Sequence, residues 1–297
     1  MRCFLKIKNW NILSSSSFDR LNLVNSASIT SYTNRSTFGQ LFLVPLACFF
    51  IALLSYSSST LAQEVVPDKT VPVKTSPWKF LHNYQAKYSV LYDGKKVGHA
   101  TRELTKHDNL WTLTTQAKLS KLFFKVKSRE LADFQIKDQN LLTERFFSET
   151  KRTFKKDRKM EQVFDWEHKT ENGFNGKKKW KLELNQQVFD RVSHVIQLRS
   201  DLLSGKDSFV YNVSYKGKHE IYTYHLEKKE SIKTNMRELS ALKLVRKKSN
   251  GDIFVFWLSP ELNYLPIKIA QYEDDKADVV MLLESIDYTS AQTEVNL

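Results

Sequence analysis

The chain has 297 residues, 41% of them hydrophobic and 27% charged, with 46 Lys and Arg against 33 Asp and Glu. That balance describes a globular protein with a real core and excludes a disordered one. The formal net charge of +13 suits anionic surroundings, although charge alone serves solubility in many proteins and selects no partner.

The N-terminal region reads as an export signal. Leu41 to Tyr56, LFLVPLACFFIALLSY, is an apolar run preceded by Arg35 and followed by SSSTLAQE. Thr60-Leu61-Ala62 presents small residues where a signal peptidase reads, so cleavage is expected between Ala62 and Gln63, with a periplasmic destination. The run falls short of the roughly 20 residues that a bilayer span needs. Residues 1–34 exceed an ordinary leading region, and a start downstream of Met1 is expected. Cys3 and Cys48 both precede the cut, so the mature chain is expected to lack disulfides, thiol nucleophiles and cysteine metal sites. Loss of Arg2, Lys6, Lys8, Arg20, Arg35 and Asp19 lowers the net charge by four, to +9. The folded part is therefore basic in its own right.

Residues 63–78 carry Pro67, Pro72 and Pro77 and read as an extended linker. From Lys79 the pattern alternates. YQAKYSVLYDGKKVGHATREL gives two strands about Asp93-Gly94, because a tight hairpin turn needs positive φ. LWTLTTQAKLS and FFKVKSRELADFQI continue as strands, Phe124 and Val126 facing one way and Lys125 and Lys127 the other. NLLTERFFSETKRTF and KMEQVFDWEHKTENGF read as a further hairpin, and KKKWKLEL follows Asn175-Gly176.

The period then changes. In QVFDRVSHVIQLRSDLLSG, Val188, Val192, Val195, Ile196, Leu202 and Leu203 fall at helical spacing, with Gly205 as the stop. Such a helix should pack on a sheet or plug a curved one. Strands resume with DSFVYNVSYKG, HEIYTYHLEKKESI, ALKLVRKK, IFVFWLS, LPIKIAQYE and VVMLLESIDYT. In FWLSPELNYLPIKI the loop SPELNY joins two strands as a structural corner, with Trp257 and Tyr264 expected to face each other. The fold class expected is mainly β: a curved, mostly antiparallel sheet, an open or half barrel, with one central amphipathic helix. Residues 79–290 are read as a single domain and 291–297 as a tail.

No catalytic constellation emerges. HExxH, G-x-S-x-G, P-loop and G-x-G-x-x-G patterns do not occur, and no metal or cofactor is expected. YEDDKAD, Glu273 to Asp278, lacks the Gly and terminal Glu of a calcium loop. Two carboxylates inside the sheet, such as Glu130 and Asp133, would be needed for a glycan-active enzyme, which is the least favoured reading. Lys151, Arg152, Lys155 and Lys156, with Lys177, Lys178 and Lys179, interleave with aromatics and could meet anions. Lipid phosphates or acidic glycans suit an exported chain better than nucleic acid. Lysines on strand edges also prevent edge-to-edge association.

The strand YQAKYSVLYDGKKVGHA, the segment FDRVSHVIQLRSDLLSG and the ending ALKLVRKKSNGDIFVFWLSPELNYLPIKIAQYEDDKADVVMLLESI resemble bacterial domain-of-unknown-function family 3108. Trp257-Leu258 followed by Tyr264-Leu265-Pro266 is the most specific part, and the resemblance spans about 80–288. It implies export, a β-rich domain and no defined activity. A looser likeness connects such sheets to periplasmic lipoprotein carriers, as analogy of fold alone. The expected function is a non-enzymatic periplasmic binding protein for an apolar or anionic envelope component. Phe123, Phe124, Phe164, Trp166, Trp257 and Tyr264 are candidates to line its sheet. The alternative is an adaptor that binds an envelope protein at a strand edge.

Overall fold

Alternation along the chain becomes strands with one face turned inward. In the computed structural model, residues 76–248, 251–273 and 276–288 are described. The export signal, the Ala62–Gln63 junction, most of the expected linker and the tail lie outside the described residues. The strands are Tyr84–Tyr92 (β1), Lys95–His107 (β2), Leu110–Lys121 (β3), Phe124–Lys137 (β4) and Asn140–Arg152 (β5). Lys155–Asp165 (β6), Thr170–Asn175 (β7), Lys178–Glu183 (β8) and Phe189–Asp190 (β9) follow. After the helix His194–Leu203 (α1) come Phe209–Ser214 (β10), His219–Lys233 (β11), Glu238–Lys247 (β12), Ile253–Ser259 (β13), Leu265–Glu273 (β14) and Lys276–Asp287 (β15).

All fifteen belong to one sheet, in the order β8 to β1 and then β15 to β9. Every pairing is antiparallel except β9 with β10. Two meanders are thus joined where β1 pairs with β15, from Gln85↔Asp287 to Tyr92↔Val279. The sheet curls but is not closed by strand pairing. Side chains bridge its two ends instead. The amide of Gln162 on β6 donates to Ser214 on β10 at 2.8 Å and to Glu171 on β7 at 2.9 Å. The Trp180 indole also donates to Glu171 (2.8 Å), and His219 on β11 approaches its other oxygen at 3.4 Å.

The interior is a core of alternate residues. In β3 Trp111, Leu113, Thr115, Ala117 and Leu119 are buried, while Gln116, Lys118 and Ser120 are exposed. Val90, Leu104, Phe134, Phe146, Leu244 and Leu258 are among the most deeply buried side chains. The helix plugs this interior. Eight of its ten residues are buried, including His194, Arg199 and Asp201. Arg199 lies 4.6 Å from the Phe80 ring and donates from Nε to the Asn263 carbonyl (3.0 Å). Asp201 accepts from Tyr211 at 2.8 Å.

The helix starts later than its sequence period suggests. Phe189 and Asp190 pair with Val213 and Ser214, and the Asp190 carboxylate accepts the amides of Val192 and Ser193 at 2.6 and 3.0 Å. These bonds hold the backbone in a strand and then a turn, so Val188 and Val192 precede the helix. At the far end Gly205, with φ of 72°, takes the left-handed position expected of it.

The corner after β13 is a 3-10 turn, Pro260–Leu262, followed by Asn263 and Tyr264 with φ of 51° and 55°. Trp257 does not face Tyr264. It stands opposite Lys268, whose ammonium lies 4.2 Å from its ring, and its indole N–H donates to Glu230. Among the described residues no helix is long and apolar enough to cross a membrane.

Gly98 marks the tightest point of the sheet. A Cβ there would lie 2.1 Å from the Lys118 carbonyl oxygen, a backbone atom that cannot swing away. Gly98→Ala should therefore lower unfolding stability by about 3 kcal/mol, read from the midpoint of urea denaturation.

Candidate functional site

One inward-facing row departs from the apolar rule. Arg102 on β2, Thr115 on β3, Glu130 on β4 and Ser148 on β5 are in register across four neighbouring strands. From the opposite wall come Arg246 on β12 and Phe254 and Phe256 on β13. Arg191, in the turn before α1, and His194, the first helical residue, close the space from above. All of these except Ser148 line a cavity of about 70 Å³, walled also by Ile269 and Met281. A space of this size admits a few water-sized groups.

The charges are not balanced. Three buried guanidinium groups meet two carboxyl groups, Glu130 in the cavity wall and the buried Asp190 beside Arg191. Arg191 Nη2 lies 3.4 Å from Glu130 Oε1, an ion pair in distance without hydrogen-bond alignment. Arg102 Nε, Arg191 Nη1 and Arg246 Nε have no hydrogen-bond partner in the protein. Arg246 is held by stacking, 3.7 Å from the Tyr222 ring and 4.9 Å from Phe254. Arg191 lies 5.2 Å from the Tyr215 ring. Burying charge without full pairing costs several kcal/mol per ion, on the order of magnitude known for protein interiors, so such a cluster is not a choice made for stability.

The same burial sets the protonation states. It pushes the Glu130 carboxyl up to about 7, with Asp190 adding and Arg191 and Arg102 opposing. It pulls His194 down to about 3, assisted by Arg246, Arg191 and Arg102. His194 Nδ1 faces the Asp190 carbonyl at 3.3 Å, which can only accept, so Nδ1 carries the hydrogen. Nε2 then accepts from the Tyr224 hydroxyl at 2.7 Å. A neutral imidazole with both nitrogens engaged is a fixed wall, not a proton shuttle. The Asp190 carboxyl is also raised by burial.

Another cavity, of about 240 Å³, is lined by Ser148, Asp157, Arg158, Asn175, Tyr215 and Lys216 among others. Burial, then Arg191 and Arg158, lowers the Lys216 ammonium to about 8. Among the described residues no group of three or more His, Cys, Asp or Glu could hold a metal ion.

The residues singled out from sequence lie elsewhere. Phe123 is exposed in the turn between β3 and β4, and Phe124 meets Phe154 edge to face at 6.3 Å. Phe164 stacks on Trp166 in a small cluster with Leu184 and Val188, and the Trp166 indole donates to the Thr143 carbonyl (2.7 Å). Trp257 is buried in the core cluster but does not reach the cavity, and the partly buried Tyr264 packs against the same cluster. None of the six lines the interior cavity. Lys151, Arg152, Lys155 and Lys156 flank the β5–β6 turn, and Lys177, Lys178 and Lys179 the β7–β8 turn. Glu130 and Asp133 point to opposite faces of β4, Asp133 accepting from Thr112 at 2.7 Å. Arg102, Arg191 and Arg246 were not singled out. Their signal was an arginine at an inward position, as Arg102 is between Ala100 and Leu104.

A curled sheet with a helix inside places the chain among barrel-like β proteins. A solved structure described as a beta-barrel-like protein of domain of unknown function DUF1849 from Brucella abortus superposes with a TM-score of 0.52. It is 11% identical, and the match covers 71% of this chain and 99% of that one, a likeness of fold alone. The chain belongs to the family described as "Protein of unknown function (DUF3108)", which matches residues 83–284. No curated protein matches it.

Glu130 and His194 make opposite contributions to stability against pH. Glu130 takes up its proton in the folded state near 7 but near 4.5 when unfolded, so its contribution falls as pH rises through that window. His194 titrates near 3 when folded and 6.5 when unfolded, so its contribution falls as pH drops through that window. Between 4.5 and 6.5 the two slopes oppose each other. Glu130→Gln removes one of them. Relative to the parent, the variant should lose about 1.4 kcal/mol per pH unit on acidification across that window, measured by urea titrations.

Proposed function

We propose that this is an exported, non-enzymatic binding protein of the cell envelope, and that its interior takes a small amphiphilic anion. The observation that carries the reading is the set of unpartnered guanidinium N–H groups on Arg102, Arg191 and Arg246 around one cavity. A carboxylate or phosphate satisfies them in the fork geometry that arginine offers. Phe254, Phe256, Ile269 and Met281 receive the apolar part. Export rests on the apolar run Leu41–Tyr56 and the small residues before Gln63.

The test is calorimetric titration of the full chain with inorganic phosphate, a short alkyl phosphate and a short alkyl carboxylate. Binding is expected to tighten as pH falls below about 7, where Glu130 gains its proton and ceases to repel the ligand. Arg102→Met should weaken binding at least about tenfold. The same change should raise the stability of the ligand-free protein by about 1 kcal/mol or more, since a well-packed apolar side chain replaces a buried charge. No heat and no thermal shift with any of the three anions would overturn the reading.

A further inference from the structure

The turns of a meander fall alternately at its two ends. At one end lie Asp108-Asn109 and Asp138-Gln139, with φ of 52°, 50° and 63° at Asp108, Asp138 and Gln139. Asp108 and Asp138 are of a type that tolerates the left-handed region, and Gln139 is at least polar. At the other end the equivalent two-residue turns are Leu122-Phe123 and Thr153-Phe154. Leu122 has φ of 54° and Phe154 of 60°, in a region that disfavours bulky side chains. All three apolar side chains stand in solvent, Leu122 at 71%, Phe123 at 79% and Phe154 at 82% exposure. The two tips touch, since Thr153 N donates to the Lys125 carbonyl at 3.0 Å and the Phe124 and Phe154 rings meet edge to face. Neither backbone conformation nor burial accounts for this choice of residues.

The surroundings are cationic. Lys118, Lys127 and Lys151 stand directly opposite one another across β3, β4 and β5, an arrangement of like charges that destabilises a sheet unless anions lie over it. Glu149 is shared between Lys151 and Lys159, and Lys125, Lys127 and Lys156 form no ion pair among the described residues. The neighbouring β7–β8 tip adds Lys177, Lys178 and Lys179, while Asp93-Gly94 keeps the β1–β2 tip polar. The residue type also discriminates among partners. Lysine is depleted at protein–protein interfaces, whereas clusters of basic side chains are drawn to anionic lipid surfaces.

We infer that this end of the sheet docks on an anionic phospholipid bilayer, Leu122, Phe123 and Phe154 entering the headgroup boundary while the lysines meet the lipid phosphates. Apolar insertion and a polybasic rim are the two signals that reversible membrane attachment needs together. The surface is separate from the interior cavity, so Arg102→Met leaves it unchanged.

The test compares the full chain with a Leu122→Asn, Phe123→Ser, Phe154→Asn variant by co-sedimentation with vesicles. One set is phosphatidylcholine alone and the other contains phosphatidylglycerol. Both proteins carry the same residues 1–75, so their difference reads the tips. The parent should prefer the phosphatidylglycerol vesicles, with binding weakened by salt, and the variant should lose about tenfold in partition. Asparagine fits the left-handed region better than Leu or Phe, so thermal stability should hold or rise while binding falls. Hydrogen exchange should slow on vesicle binding in peptides covering residues 119–127 and 150–158. Equal partition of parent and variant, indifference to phosphatidylglycerol, or protection confined to other segments overturns the inference.

Discussion

The pairing of β1 with β15 is the interaction on which the rest depends. It joins strands from opposite ends of the folded region and turns two meanders into one fifteen-stranded sheet. A sheet of that width curls under its own twist, and curling brings its two edges within side-chain reach. Glu171 then gathers Gln162, Trp180 and His219 from both sides of the seam. The contacts that hold this arrangement are distant in sequence, so their loop-closure entropy is paid before the interior forms. The enclosed space must then be filled, and α1 fills it with polar as well as apolar side chains.

That filling explains why the interior carries charge at all. A helix buried on nearly every side brings its own Arg199 and Asp201 inside, and each is satisfied there by Asn263 and Tyr211. The cluster of Arg102, Arg191 and Arg246 differs. Its members come from the sheet and from the turn before the helix, and Arg102 Nε, Arg191 Nη1 and Arg246 Nε stay without protein acceptors, although Arg191 also bonds Tyr215 and Arg246 bonds Tyr224. A sequence consistent at every level breaks its local rules chiefly where function requires it. Glu130 sharpens the point, since a fully paired carboxylate among three arginines would be held low, whereas burial raises this one.

The strand pattern was legible because a half-buried strand repeats every two residues. The resulting fold class and the position of Gly205 followed from that period and from helix-stop chemistry. The helix start was not legible, because Val188 and Val192 keep helical spacing while a parallel bridge and the Asp190 carboxylate hold their backbone otherwise. Phe123 looked like a strand residue because Leu122-Phe123 has none of the Gly, Asn or Asp that announces a turn. The arginines escaped notice for a related reason. Reading alternation collects apolar residues at inward positions and passes over a charge that shares their register, and Arg246 is further disguised by Lys247 and Lys248.

Basic side chains also occur between the two cationic regions. The β5–β6 tip continues into Arg158, which faces the larger cavity with Lys216. Lys216 feels both Arg158 and Arg191, and Tyr215 beside it stacks on Arg191. Arg191 in turn borders the smaller cavity with Arg102 and Arg246. Ser148 lines the outer cavity and is in register with Glu130 in the inner one. Basic side chains thus recur between the exposed tip and the buried arginines, with Asp157 among those lining the larger cavity. Glu130, set beside Arg191, is the one acidic side chain lining the inner cavity, so the charge of that cavity turns on its protonation.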